Sequence, residues 1–177
     1  MIVQSIGHST RTFPELLDLL SAHGVAAVAD VRRFPASRRH PQFAREALAR
    51  DLAAAGIAYE WFPQLGGRRS ARPDSPHTAW RNAAFRGYAD HMESDEFRAG
   101  LAHLLERAAE RSTALLCAEA VPWRCHRQLI ADALVARGVE VRHITGAGAA
   151  APHRLSAIAR LEGDRLVYDA GQPRLSP

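Results

Sequence analysis

Residues 115–127 read LLCAEAVPWRCHR, and this stretch decides the fold class. An apolar run that begins at Thr113 stops at Cys117, a loop containing Pro122 follows, and an amphipathic segment begins at Cys125. This order predicts a strand, a turn and the start of a helix. It also brings both cysteines of the chain to the carboxyl end of one strand, which is where ligands bind in open α/β sheets.

Apolar strands and amphipathic helices alternate on both sides of this stretch. The predicted strands are residues 2–6, 25–31, 57–62, 113–117 and 139–144. The predicted helices are residues 13–23, 43–55, 79–92, 95–111 and 123–137. Such alternation is typical of parallel sheets covered by helices. We therefore expect an α/β fold, a single domain with a mainly parallel sheet of about five strands and helices on both faces.

The chain has 177 residues, which is the length of one domain. We divide it into a core over residues 1–145 and a C-terminal extension over residues 146–177. Within the extension, small residues at 146–151 predict a linker and the apolar spacing over 153–161 predicts a short helix. Residues 165–168 predict an edge strand.

Composition excludes several classes of protein. Apolar residues make up 47% and charged residues 24% of the chain, as in soluble globular proteins. No apolar run approaches the ~20 residues of a membrane span, and the N-terminal residues lack the basic and apolar regions of a signal peptide. We therefore expect a cytoplasmic protein with no membrane partner. All 23 basic residues are arginine, which excludes a Schiff base on lysine.

Polar residues collect where the predicted strands end. Because parallel strands bring their carboxyl ends to the same edge of a sheet, we expect these side chains to share one crevice. The candidate catalytic residues are Cys125, His126, His8, Asp30 and Glu119. The candidate ligand-binding residues are Ser9, Thr10, Arg11, Arg32, Gly66, Gly67 and Arg127.

The arginines of this crevice predict a site for an anion, with phosphate as the favoured group. Arg11, Arg32 and Arg127, joined by Arg38, offer bidentate donors, and helix N-termini add backbone N–H groups. The alternative is that these arginines pair with nearby carboxylates and only brace the loops. Three roles are also open for Asp30, which would orient His8, act as a general base or cap the turn that follows it.

Three kinds of chemistry are open for the cysteines. Cys125 precedes a predicted helix beside His126 and two arginines, neighbours that lower the pKa of a thiol, so a nucleophilic thiolate is one interpretation and a structural or merely accessible thiol is the more common alternative. Cys117, Glu119, Cys125 and His126 would alternatively form a mixed metal site, with His8 as a further ligand. The two cysteines, too few for a disulfide framework, would also suit a redox sensor.

A nucleic-acid-binding module is the remaining alternative. The net charge of +4 permits contact with nucleic-acid phosphates. The basic residues in and around the long loop at 66–78 are Arg68, Arg69, Arg72, Arg81 and Arg86. Gly66 and Gly67 would allow close approach of the backbone to a ligand, or would simply make the loop flexible. Trp123 is the best candidate for stacking on a base.

Several short pieces of the sequence, in order along nearly the whole chain, form a recurring pattern. They are Ile6-Gly7-His8-Ser9-Thr10, Leu16-Leu17, Val28-Ala29-Asp30-Val31-Arg32, Phe34-Pro35, Phe43, Ile57-Ala58-Tyr59, Leu65-Gly66-Gly67, Leu116-Cys117-Ala118-Glu119 with Pro122, Cys125-His126-Arg127, and Val141, His143 and Ile144. In these pieces the chain resembles the DUF488 family, which is named for its unknown function. The resemblance implies no particular reaction, but it implies that the His-Ser-Thr, Asp-Val-Arg, Leu-Gly-Gly and Cys-His-Arg pieces belong together.

Overall fold

A six-stranded sheet forms the centre of the structure, a computed structural model that describes residues 1–36 and 38–169. Its strands are β1 (Ile2–Gly7), β2 (Ala27–Asp30), β3 (Ala58–Trp61), β4 (Thr113–Cys117), β5 (Glu140–Ile144) and β6 (Ala151–Pro152). The spatial order is β3-β2-β4-β1-β5-β6. The first five strands are mutually parallel, and β6 pairs antiparallel with β5. The predicted α/β fold with a mainly parallel sheet is confirmed.

Five helices cover the sheet: α1 (Phe13–Ala22), α2 (Arg45–Ala54), α3 (Ala83–His91), α4 (Asp95–Glu110) and α5 (Arg127–Val135). The start of α1 is fixed by a capping box in which Thr12 and Glu15 satisfy each other's backbone N–H groups. Ser94 caps α4 by accepting a hydrogen bond from the Phe97 N–H.

Helices pack on both faces of the sheet, as predicted. β4 is buried along its whole length, with Ala114 and Leu116 facing the cluster that includes Leu16 and Leu48 of α1 and α2. Leu115 and the other alternate side chains of β4 face the cluster formed with α3, α4 and α5. A fully buried leucine contributes about 1.5–3 kcal/mol to stability. Burial on both faces explains the continuous apolar run that the sequence shows there.

The predicted helix at 123–137 begins later than expected, at Arg127. Pro122–Arg124 forms a short 3-10 turn instead, and Cys125 adopts an extended conformation with φ −136° and ψ 148°. The helix therefore begins only after Cys125, with His126 as its N-cap. This irregular connection turns the Cys125 side chain back toward the end of β4.

The predicted helix over 153–161 is wrong, because this part of the extension ends in a β-hairpin. β7 (Ala159–Glu162) pairs antiparallel with β8 (Arg165–Tyr168), so the expected strand at 165–168 is confirmed within a hairpin of its own. The hairpin turns at Gly163, whose φ of 64° suits a two-residue turn. Leu166 and Tyr168 are buried in the cluster around α4 and α5. Residues 170–177 of the extension lie outside the described residues.

Across residues 1–36 and 38–169, none of the helices has the length and apolar character needed to cross a membrane.

Candidate active site

A cavity of about 580 Å³ opens at the carboxyl ends of β2 and β4. Four segments line it: the loop after β2, the turn at 67–68, the start of α3, and the connection from β4 to α5. The polar residues in its wall are Arg32, Arg33, Arg68, Asn82, Tyr88, Cys117, Glu119, Arg124, Cys125 and His126. This position agrees with the rule that ligands bind at the carboxyl edge of open α/β sheets.

Cys117, Cys125 and His126 form a compact cluster in the wall of this cavity. The Nδ1 atom of His126 lies 3.6 Å from the Cys125 sulfur and 4.0 Å from the Cys117 sulfur. The Nε2 atom of the same ring lies 2.8 Å from the backbone oxygen of Val31. Because a carbonyl oxygen only accepts, Nε2 carries the proton of the neutral ring, and the Nδ1 lone pair faces both sulfurs.

Neighbouring groups hold the imidazole of His126 in this orientation. A Cβ atom at Gly67 would lie 2.7 Å from Nδ1, so the ring packs where a side chain would otherwise stand. The Tyr88 ring packs 5.0 Å away between centroids. The Tyr88 hydroxyl donates to the Leu65 carbonyl and so ties α3 to the Leu-Gly-Gly turn. The imidazole is therefore fixed by its hydrogen bond to Val31, directly after β2, and by packing from two sides.

Arg127 is the largest fully buried side chain in the structure, with 1% of its surface exposed. Its Nε donates to the Cys125 sulfur at 3.5 Å, its Nη1 donates to the Ser5 hydroxyl at 3.3 Å, and its Nη2 donates to the Glu119 backbone oxygen. Within the described residues, no carboxylate forms an ion pair with this guanidinium. A buried charge requires a partner of opposite charge. The Cys125 sulfur is the group in contact with Arg127 that can ionise to supply one.

The pKa values of the two thiols are shifted in opposite directions. The pKa of Cys125 lies well below its ordinary value, first because Cys117 donates a hydrogen bond to it. His126, which donates from Nδ1 once it has taken up the thiol proton, and Arg127 then stabilise the thiolate against burial. The pKa of Cys117 is raised well above its ordinary value by that same hydrogen bond and by burial. Cys125 is therefore the thiolate of the pair, and Cys117 is its proton-bearing partner.

Arg32, Asp30 and His8 form a separate group at the ends of β2 and β1. Asp30 is completely buried and pairs with two nitrogens of Arg32, at 2.8 and 2.5 Å, while the Tyr59 hydroxyl donates to it at 2.7 Å. His8 stacks on Phe43 at 4.3 Å, and burial lowers its pKa to about 4. Arg32 lines the cavity, whereas Asp30 and His8 lie behind it.

The remaining predicted ligand-binding residues lie apart from the cavity wall, with the exception of Gly67. Arg11 donates to the backbone oxygens of Gly7 and Thr145 and so braces the loop after β1. Ser9 and Thr10 belong to this loop, and Ser9 has a left-handed φ of 51°. The backbone at Gly66 packs against the Cα of Arg33, which a Cβ atom would approach to 2.8 Å.

The arginines of the long loop are mostly engaged with acidic side chains. Arg69 pairs with Glu96 at 3.2 Å and Arg72 pairs with Glu93 at 2.9 Å. Arg86 donates to the backbone oxygen of Trp80. These contacts brace the loop against α3 and α4 and leave less positive charge for a nucleic-acid backbone than the sequence suggests.

The residues predicted from the sequence to bind a ligand did not include three arginines of the cavity wall, although Arg68 was among those considered for nucleic-acid binding. Arg33, Arg68 and Arg124 all line the cavity, and none of the three forms an ion pair within the described part of the chain. Arg68 has a left-handed φ of 57°, which costs free energy in a residue other than glycine. The adjacency of Arg33 and Arg124 to the Asp-Val-Arg and Cys-His-Arg pieces was an available signal. Tyr88 gave no signal, because a buried tyrosine on a helix is ordinary core.

The same cluster contains the atoms that could hold a metal ion. The ligand atoms of Cys117, Cys125 and His126 lie within 4.8 Å of one another. Two thiolates and one imidazole nitrogen are a zinc donor set that leaves a fourth position for a ligand. The exposed carboxylate of Glu119 is not among these donors, so the predicted four-residue metal set reduces to three over the described ranges.

Residues 12–134 match the family model described as "Domain of unknown function DUF488". Comparison with curated proteins and comparison with solved structures returned no match. The matched segment covers more than half of the chain and contains the cluster of Cys117, Cys125 and His126. The chain therefore belongs to the DUF488 family.

Proposed function

We propose that this protein is an enzyme that uses the Cys125 thiolate as a nucleophile on an anionic, phosphate-bearing substrate bound in the cavity. The observation that carries the proposal is the buried guanidinium of Arg127, which contacts the Cys125 sulfur and pairs with no carboxylate among the described residues. A thiolate at Cys125 balances that charge. It also provides a strong nucleophile in the wall of a ligand-sized cavity.

The neighbours of Cys125 have complementary roles in this proposal. The Nδ1 lone pair of His126 accepts the thiol proton when the thiolate forms. The Cys125 sulfur then bonds to the electrophilic atom of the substrate as the bond to the leaving group breaks. Cys117, whose raised pKa keeps its proton in place, donates a hydrogen bond to the reacting sulfur. The imidazolium of His126 gives the proton it has accepted to the leaving group. When water or a second substrate attacks the intermediate, it gives a proton back to His126 and the bond to the Cys125 sulfur breaks, which restores the thiolate.

Anion recognition is assigned to Arg33, Arg68 and Arg124. All three line the cavity without a carboxylate partner among the described residues, in contrast to Arg32, which Asp30 neutralises. Guanidinium groups bind phosphate through paired hydrogen bonds. A small phosphate ester and a nucleic-acid phosphate present the same group, and the sizes of compounds that compete for the cavity distinguish the two sources.

The proposal is tested by the rate at which iodoacetamide alkylates Cys125, followed by mass spectrometry. We expect fast alkylation at neutral pH and protection by inorganic phosphate. Arg124→Gln is expected to weaken the protection about tenfold, since it removes a charged donor. The matched control is Arg81→Gln, which changes an exposed arginine outside the cavity wall and is expected to leave the protection unchanged.

Three results would contradict the proposal. The first is an ordinary, slowly reacting thiol. The second is alkylation that phosphate does not affect in the wild-type protein. The third is a thiol that becomes reactive only after treatment with a chelator, because the three-donor cluster would then hold a metal ion rather than a free nucleophile.

A further inference from the structure

A second buried polar group begins at Arg127, behind the wall of the cavity. The Ser5 hydroxyl, which accepts from Arg127, lies 2.8 Å from Nδ1 of His143. Nε2 of His143 lies 3.0 Å from Nδ1 of His153, and Nε2 of His153 lies 2.9 Å from a carboxylate oxygen of Asp132. These five side chains form one continuous chain of hydrogen bonds. It starts and ends on α5 and passes through β1, β5 and the segment after β6.

The two ends of this hydrogen-bond chain fix the direction of its terminal hydrogen bonds. A guanidinium only donates, so the Ser5 oxygen accepts from Arg127. A carboxylate only accepts, so His153 donates from Nε2 to Asp132. Burial and then the neighbouring positive groups lower the pKa of His143 to about 4, so this ring is neutral and donates from one nitrogen while it accepts at the other.

The Asp132 end of the hydrogen-bond chain has more hydrogen-bond partners than the Ser5 end beside Arg127. Besides His153, the carboxylate of Asp132 accepts from the Ser156 N–H at 2.9 Å, the Ser156 hydroxyl at 2.7 Å and the Tyr168 hydroxyl at 3.0 Å. Asp132 is completely buried, and the side chain of His153 is 8% exposed. His153, Ser156 and Tyr168 all come from the C-terminal extension, outside the segment that the family model matches. A network satisfied at every member is rigid and specifies one arrangement.

We propose that His143, His153 and Asp132 are positioning residues that hold Arg127 against the Cys125 sulfur. The inference rests on the proposed function, because Arg127 is the counter-charge of that nucleophile. The extension is then part of the active-site framework. Without this hydrogen-bond chain, the Ser5 side chain is no longer held in the rotamer that places its oxygen 3.3 Å from Nη1. The guanidinium then loses one of the two oxygen acceptors that direct its Nε toward Cys125.

The test compares the pH dependence of Cys125 alkylation in the wild-type protein and three variants. His153→Ala removes the middle of the chain, and we expect alkylation at pH 6 to slow by about three- to tenfold, as the apparent pKa rises by about 0.5–1. His153→Gln keeps one acceptor and one donor at the same position and is expected to recover part of the rate. Tyr168→Phe is the matched control, because it removes a hydrogen bond from Asp132 outside the chain.

If these side chains only stabilised the fold, the alkylation rate of Cys125 in each variant would fall in parallel with that variant's thermal stability. The inference is overturned if folded His153→Ala has the wild-type alkylation profile, or if Tyr168→Phe shifts the profile as far as His153→Ala does. If His153→Ala does not fold, the comparison of His153→Gln with Tyr168→Phe decides the question in the same way. A wild-type protein whose Cys125 titrates as an ordinary thiol overturns the proposed function, and the inference with it.

Discussion

Arg32 and Arg127 are two buried guanidinium groups, 6% and 1% exposed, with opposite kinds of partner. Arg32 is held by both carboxylate oxygens of Asp30. Arg127 contacts a hydroxyl, a backbone carbonyl and the Cys125 sulfur. The first arrangement is closed, because the charge is neutralised inside the protein. The second is completed only when Cys125 is ionised.

Because of this difference, the two arginines have different roles at the same edge of the sheet: Arg32 stabilises a loop, and Arg127 stabilises a thiolate. Both arginines lie near the ends of adjacent parallel strands, and the sequence alone gives them the same description. A buried cation with a buried carboxylate stabilises the loop that contains it, whereas one without a carboxylate lowers the pKa of whatever acid it contacts. Experiments that remove one partner at a time therefore give different results at the two sites.

The largest effect is expected at the pair of Asp30 and Arg32, from Asp30→Asn. This change leaves the Arg32 guanidinium buried without a counter-charge, and we expect the free energy of unfolding to fall by about 3–5 kcal/mol. Urea denaturation followed by circular dichroism measures it. The double variant Asp30→Asn with Arg32→Met removes both charges, and we expect it to recover at least half of the loss. A double variant no more stable than the single one would contradict the pairing.

The next effect is a pH dependence of the free energy of unfolding, which comes from His8, close to the same ion pair. Its pKa is about 4 in the folded protein against 6.5 in the unfolded chain. Above pH 6.5 His8 is neutral in both states; between pH 6.5 and 4 the unfolded chain takes up a proton that the folded protein does not, so stability falls. The loss is on the order of 3 kcal/mol at pH 4. Unfolding of wild type and His8→Asn across this range measures it, and equal slopes would refute it.

The third effect belongs to the other arginine. Arg127→Met removes the counter-charge of Cys125, and we expect its alkylation at pH 7 to slow by about tenfold or more. Arg32→Met is the matched control: it removes a buried arginine from the neighbouring strand end, and we expect a change of less than about threefold. If both variants slow alkylation equally, the distinction between the two guanidinium groups fails.

The smallest effect concerns the hydrogen bond between the two thiols. Cys117→Ala removes the donor to the Cys125 thiolate, and we expect the alkylation rate at pH 6 to fall by about three- to fivefold. Cys117→Ser keeps a donor in the same place and is expected to stay within about twofold of wild type. Stopped alkylation time courses with mass-spectrometric detection resolve these differences. Equal rates for the alanine and serine variants would show that the donated hydrogen bond is unimportant.

Local pattern predicts the regular parts of this fold and fails where the chain is irregular. The bounds of β4 follow from an apolar run between polar residues, and the helix signals around Thr12 and Ser94 mark real starts. The predicted helix starts too early because Pro122, at the first position of the segment 122–124, favours a short 3-10 turn. This turn ends at Cys125, which is extended. In the extension, the turn at Gly163 outweighed an ambiguous apolar spacing.

The candidate site divides in the same way. The cluster around Cys125 was predictable because its members lie within one strand-turn-helix unit, as was the presence of arginines nearby. The sequence could not predict which arginine would be neutralised, because this depends on whether a carboxylate reaches the guanidinium in the folded structure. The link from Ser5 to His143 joins residues 138 positions apart. It exists because β1 and β5 are paired in the register that places those two residues side by side, and single-sequence patterns do not encode that register.

The most direct test of the central claim is the ionisation of Cys125 itself. Thiolates absorb in the ultraviolet where thiols do not, so the difference between the pH titrations of wild type and Cys125→Ser isolates this residue. The account predicts a transition well below the free-cysteine value of about 8.5, with the thiolate already formed at neutral pH. A transition at or above that value would mean that Arg127 is not balanced by Cys125, and would contradict the proposed nucleophile.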